Sequence, residues 1–143
     1  MIENKKFYVG LKKVFKKKYI QDYVKAFADI TGDKNPIHLD DDFAKETVFK
    51  GRVGHGMWCA GLISAAISQK LPGPGSVYKS QSLNFLYPIR INDLLIVELC
   101  ILDIKIKEKI FFIQTVIKNQ NNVKILDGKA TVILPNLSAD DLN

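Results

Sequence analysis

An acid, an amide and an imidazole fall within the six residues Asp33 to His38, as Asp33, Asn35 and His38 around Pro36. General acid–base chemistry needs groups poised to give and take a proton, and a rigid proline turn can fold Asp33 and His38 onto one site. The other reading is ordinary turn chemistry, in which Gly32-Asp33-Lys34-Asn35-Pro36 bends the chain and His38 is a surface residue. On residue types alone the turn reading is the stronger. A second candidate is Gly56, in Val53-Gly54-His55-Gly56-Met57. At the start of a helix its backbone N–H lacks an intrahelical acceptor and can stabilise developing negative charge on an oxygen. Glycine also lets a substrate approach the backbone closely. His55, just outside that helix, reads as support for the loop. Ser64 is polar in an otherwise apolar run. It either bonds back to the preceding turn or faces the Gly56 end with Ala60, Ile63 and Ile67 on one stripe.

Elements must hold these groups in place. Apolar residues at Ile20, Tyr23, Val24, Phe27, Ala28 and Ile30 predict an amphipathic helix over Ile20–Ile30, ended by Gly32. A turn follows from Asp33 to His38, then a short helix over Asp40–Lys45 with acids in its first turn, then loop from Phe49 to Gly54. Met57–Leu71 is apolar nearly all round and reads as an enclosed helix, terminated by Pro72-Gly73-Pro74-Gly75. Strand patterns cover Ser76–Tyr87, Leu94–Ile106, Ile110–Lys118 and Val123–Leu134. With a first strand over Phe7–Phe15 they make five, the last four expected as an antiparallel meander. The expected class is α+β: a five-stranded antiparallel sheet wrapped about a long central helix.

The totals fit that picture. The chain has 143 residues, 47% hydrophobic and 25% charged, as expected for a single globular domain over 1–143. The net charge of +6 owes much to Lys5, Lys6, Lys12, Lys13, Lys16, Lys17 and Lys18. Such an excess suits an anionic partner, although solubility explains it equally well. No aromatic stacking motif accompanies these lysines, so a nucleic-acid partner is not expected. Cys59 and Cys100 have neither disulfide nor zinc spacing. No signal peptide is visible, and the longest apolar run is shorter than the about 20 residues a membrane span needs. The expected location is the cytoplasm, without membrane insertion.

The two motifs together resemble the MaoC-like, or (R)-specific enoyl-CoA hydratase, family. So do Leu71-Pro72-Gly73-Pro74-Gly75-Ser76-Val77-Tyr78, Gln81-Ser82-Leu83-Asn84-Phe85, and Pro88 before Asn92-Asp93. The resemblance implies a hot-dog fold, a homodimer, and Asp33 and His38 as the acid–base pair, which reverses the balance between the two readings. It implies Asn35 as the motif amide, Gly56 as oxyanion donor, and Ser64 near the pair. If Gly56 faces the site, helix geometry returns Ile63, Ser64 and Ile67 to its side one to three turns deeper, where an acyl tail would extend. Trp58 and Cys59 depart from the aliphatic pair expected and bear on substrate range. The reaction implied is reversible hydration of a trans-2-enoyl thioester to the (R)-3-hydroxyacyl thioester. Coenzyme A enters as substrate, and no metal or redox cofactor is needed. The alternatives are dehydration of (3R)-hydroxyacyl groups on acyl carrier protein in fatty-acid synthesis, or a non-catalytic acyl-thioester-binding protein.

Overall fold

The computed structural model describes residues 6–142. Helix α1 spans Gln21–Thr31 and buries Val24 and Ala28, with Tyr23 and Phe27 partly covered beside them. Gly32 closes it at φ 81°, its N–H donating to the Ala28 carbonyl at 2.9 Å. Only a glycine takes that left-handed position without strain. The helix starts one residue later than expected because Ile20 is still extended, and Ile30, assigned to the inward face, is 85% exposed.

The segment after Gly32 is more ordered than a turn. Pro36–Leu39 forms a one-turn helix, α2, with proline at its first position and Asn35 Oδ1 accepting from the Ile37 N–H at 3.2 Å. Asp40 then caps α3 (Asp41–Lys45) through the Phe43 N–H. Asn35 and Asp40 thus each start a helix, and between them they set the direction of His38.

Helix α4 spans Gly56–Gln69. Its inner face, Cys59, Leu62, Ile63, Ala66 and Ile67, is buried, while Met57, Gly61, Ser64 and Ser68 are exposed. An apolar helix enclosed on all sides was expected. One chain packs only its inner face and its Trp58 flank, so five of its fourteen residues, Met57, Gly61, Ser64, Ser68 and Gln69, stay exposed.

The sheet runs β1-β3-β4-β5-β2 with every pairing antiparallel. Its strands are β1 (Lys12–Lys18), β2 (Val77–Phe85), β3 (Leu94–Lys105), β4 (Ile110–Lys118) and β5 (Lys124–Ile133). Strands β3, β4 and β5 form the expected meander. β2 does not: it pairs with β5, Tyr78 opposite Val132 and Phe85 opposite Leu126. Residues 86–93 are far too long for a two-residue hairpin and carry the chain across the end of the sheet instead.

The first strand also lies later than Phe7–Phe15. Gly10, at φ 93°, turns the chain, and its N–H bonds to the Ile101 carbonyl. Phe7 therefore falls outside the strand and plugs the core edge-on against Phe111, ring centroids 5.1 Å apart. The lysine run Lys12–Lys18 is itself the edge strand, with all five lysines exposed. Charge along an edge discourages pairing with another sheet. Lys5 lies outside the described residues. On β3 the residues Leu95, Val97, Leu99 and Ile101 alternate inward and meet α4 in one buried cluster.

Candidate active site

Three side chains converge where α1 ends and α4 begins. His38 Nδ1 lies 2.7 Å from the Val53 carbonyl oxygen, and His55 Nε2 lies 2.9 Å from that of Asp33. A carbonyl only accepts, so each of these ring nitrogens carries a proton and donates. In neutral His38 the lone pair is therefore on Nε2. The two imidazoles sit 4.0 Å apart at 35°, and Asp33, His38 and His55 each place one ligand-type atom within 4.8 Å of the others. Asp33 is exposed, His38 partly buried and His55 only 1% exposed. As a metal site this cluster is poorly disposed. One nitrogen of each ring already donates to a backbone carbonyl, and the other nitrogen of His55 is buried, whereas a tetrahedral ion needs free ligand atoms converging on one point.

Gly56 is the first residue of α4, next to His55 at the N-cap. The N–H groups of a helix's first turn point outward, free for a ligand, at the positive end of the dipole. The adjoining cleft, about 260 Å³, is lined by Val53, Gly56, Cys59, Phe85, Tyr87 and Ile125 among others. A Cβ at Gly56 would meet two Phe85 ring carbons at 3.0 Å. Gly56→Ala should therefore push the Phe85 ring into the cleft and lower turnover by about tenfold, because misplacement of reacting groups by 1 Å can cost 10²-fold and Phe85 is free to yield part of the way. Steady-state kinetics and a melting curve on the same preparation check it. A variant as active as the parent would show that nothing approaches Gly56.

Gly54, just before His55, leaves no room for a side chain. A Cβ at Gly54 would lie 2.5 Å from Ile89 Cγ1 and 2.6 Å from Tyr19 Cε1, and its N–H donates to the Ile89 carbonyl at 2.8 Å. Tyr19 is fully buried. Burial pushes its hydroxyl up to about 12, and likewise the Cys59 thiol up to about 12. Both stay neutral at physiological pH and do not compete with Asp33 and His38 for a proton.

The stripe expected to face the site is divided by the structure. Gly56 lines the first cleft, and Ala60 and Ser64 line a second, about 360 Å³, with Met57, Tyr78 and Leu83. Ile63 and Ile67 are 0% and 2% exposed, within the core. Trp58 packs away from these clefts, stacked on Tyr23 at 5.6 Å and tilted against Tyr19 at 4.8 Å. Sequence reasoning tied Cys59 to substrate range without placing it in a cleft, and missed Phe85 as a cleft residue. Cys59 could have been found at i+3 from Gly56, whereas Phe85 is brought in by the pairing of β2 with β5.

Comparison with known proteins identifies the family. Residues 10–122 match the MaoC like domain. The chain is 42% identical over 127 residues to the 3-hydroxybutyryl-CoA dehydratase of Methylorubrum extorquens, covering 89% of this chain and 80% of that protein. It is 37% identical to the (R)-specific enoyl-CoA hydratase of Aeromonas caviae, over 89% of this chain and 95% of the relative. The solved structure of the A. caviae (R)-hydratase superposes with a TM-score of 0.86 at 36% identity, covering 90% and 98% of the two chains. A third relative, the mitochondrial 3-hydroxyacyl-[acyl-carrier-protein] dehydratase of Arabidopsis thaliana, is 38% identical over 80% of this chain and 69% of its own length. The chain belongs to the MaoC-like family of hydratases and dehydratases, hydro-lyases of the hot-dog fold. Among the described residues no helix is long and apolar enough to cross a membrane.

Proposed function

We propose that the protein is an (R)-specific enoyl-CoA hydratase of the cytoplasm, adding water reversibly across the double bond of a trans-2-enoyl thioester. The observation carrying this reading is the orientation of His38. Its Nδ1–H is held by the Val53 carbonyl, which leaves Nε2 free beside Asp33 and the opening of α4. Asp33 and His38 hold one water between them. One of the pair takes a proton as the water oxygen bonds to the β-carbon, and a proton is delivered to the α-carbon on the same face. The Gly56 N–H donates to the thioester oxygen, which carries the negative charge of the enolate-like intermediate. Asn35 keeps the turn in place through its bond to the Ile37 N–H. The roles of base and acid belong to the coupled pair and are not divided between its members. Adding water changes no overall oxidation state, so this chemistry calls for no redox cofactor, and coenzyme A serves only as the thioester carrier.

For the acyl tail we propose the floor beneath Ala60 and Ser64, where Ile63 and Ile67 back the helix. The A. thaliana relative favours a second reading, dehydration of hydroxyacyl groups on acyl carrier protein. Loss of crotonyl-CoA absorbance with purified protein is the expected result. Turnover only of carrier-protein thioesters would favour the second reading. Inactivity on every enoyl thioester would leave an acyl-thioester-binding protein.

We propose further that the protein is a homodimer. Met57, Gly61, Ser64 and Ser68 leave one face of α4 uncovered, and β2 is an unpaired sheet edge beside them. A second copy would cover both under a two-fold axis. Sedimentation at micromolar concentration should give twice the 16.1 kDa of one chain. A single species at the one-chain mass would rule this assembly out.

A further inference from the structure

We infer that His55 is a positioning residue that fixes Asp33, His38 and the Gly56 N–H in one arrangement; the inference rests on the hydration reading above. His55 touches every piece that carries the proposed chemistry. Its Nε2–H holds the Asp33 carbonyl at 2.9 Å, across 22 positions of sequence. Its ring lies 4.0 Å from that of His38 and 4.7 Å from that of Phe27 in α1. Its backbone is the N-cap of α4, next to Gly56.

The loop it restrains needs restraint. Gly32, Asp33, Lys34 and Asn35 are all exposed, so packing does not fix them. Local bonds hold the loop to the end of α1, Asp33 N–H to Thr31 Oγ1 at 3.1 Å and Lys34 N–H to the Gly32 carbonyl at 3.0 Å, and the tie from Asp33 across to the α4 side of the site is its carbonyl to His55. Meanwhile His55 Nδ1 is buried with no hydrogen-bond partner among the described residues, as is the Tyr19 hydroxyl. The contact that ties the ring to the site is therefore the bond from its Nε2–H to the Asp33 carbonyl. Freed of this tie, Asp33 can drift from His38, and a displacement of 1 Å is enough to slow a reaction by about 10²-fold.

The test compares His55→Leu, His55→Gln and His55→Asn. Leucine keeps bulk without a donor. Glutamine carries an amide N–H about as far from the backbone as Nε2, and asparagine carries the same amide too short to reach. His55→Leu should lower kcat by about 10²-fold while leaving KM largely unchanged, and His55→Gln should recover at least about tenfold of that. Nitrogen-15 NMR of the substrate-free protein supplies a readout independent of turnover. The parent should show His38 protonated on Nδ1 and His55 on Nε2. The His38 signal should move in the leucine variant and return in the glutamine variant. Unchanged kcat in His55→Leu, or glutamine no better than leucine, overturns the inference. If the leucine variant does not fold, equal kcat in His55→Gln and His55→Asn overturns it instead. A parent inactive on all enoyl thioesters, with the expected NMR pattern and its dependence on residue 55, overturns the hydratase reading and leaves the positioning role of His55 standing.

Discussion

His38→Gln and Asp33→Asn should each lower the turnover of an enoyl thioester by about 10²–10⁴-fold, the usual consequence of losing a proton-transfer group. Neither change should unfold the protein. Asp33 is exposed, and its backbone carbonyl, which asparagine retains, is the atom that His55 binds. His38 is partly buried, and although a glutamine amide matches its Nε2 and not the Nδ1 that donates to the Val53 carbonyl, the α2 turn keeps the caps that Asn35 and Asp40 supply. Substitutions at such positions shift stability by about 0.5 kcal/mol or less when no core contact is lost. Each variant therefore separates chemistry from folding: kcat collapses while the melting temperature holds. A fully active His38→Gln protein would remove His38 from the mechanism, and a fully active Asp33→Asn protein would do the same for Asp33.

Where local chemistry decides the structure, the sequence was legible. Gly32 ends α1 because glycine takes a left-handed backbone at little cost, and Asn35-Pro36 starts a new element because the Asn35 side chain caps a helix N-terminus where proline has no N–H to satisfy. Turn residues bound Ile110–Lys118 so tightly that β4 has those limits. Contacts between distant positions left no such trace. The partner of β2 depends on how the chain crosses the sheet, and a strand of its composition fits either β3 or β5. Phe7 looked like the first residue of a strand because alternation around it is weak, and only the conformation of Gly10 removes it. In the site, Asp33, His38 and Gly56 stood out as candidates by type and spacing, and the family resemblance tipped the reading from an ordinary turn to an acid–base pair. The bond from His55 to the Asp33 carbonyl did not stand out, because a backbone acceptor has no residue type to recognise. The cleft wall built by Phe85 is hidden for the same reason as the β2 pairing.

Shortening Ile63 or Ile67 to alanine should destabilise the protein by about 2–5 kcal/mol, the range for large-to-small changes in a packed core. Both are essentially unexposed and lie among the sheet residues of the central cluster, so little can collapse into the space. Against a total stability of about 5–15 kcal/mol this is a large loss, readily seen as a lower denaturant midpoint. Ser64→Ala, on the exposed side of the same helix, should shift stability by about 0.5 kcal/mol or less. The isoleucine variants should also accept longer acyl chains, since at about 100° per residue Ile63 and Ile67 fall on the helix close to Ala60 and Ser64, which line the cleft proposed for the tail. Trp58→Leu is the control. It removes the stacking on Tyr23 and Tyr19 and should lower stability by up to a few kcal/mol, yet leave chain preference alone because Trp58 faces a different groove, with Phe15 and Phe27. Activity profiles on C4 to C12 enoyl-CoAs, taken below the lowest melting temperature of the set, separate these effects. A shifted preference in Trp58→Leu with none in the isoleucine variants would move the acyl tail to the α1 side of the helix and sink the proposed floor.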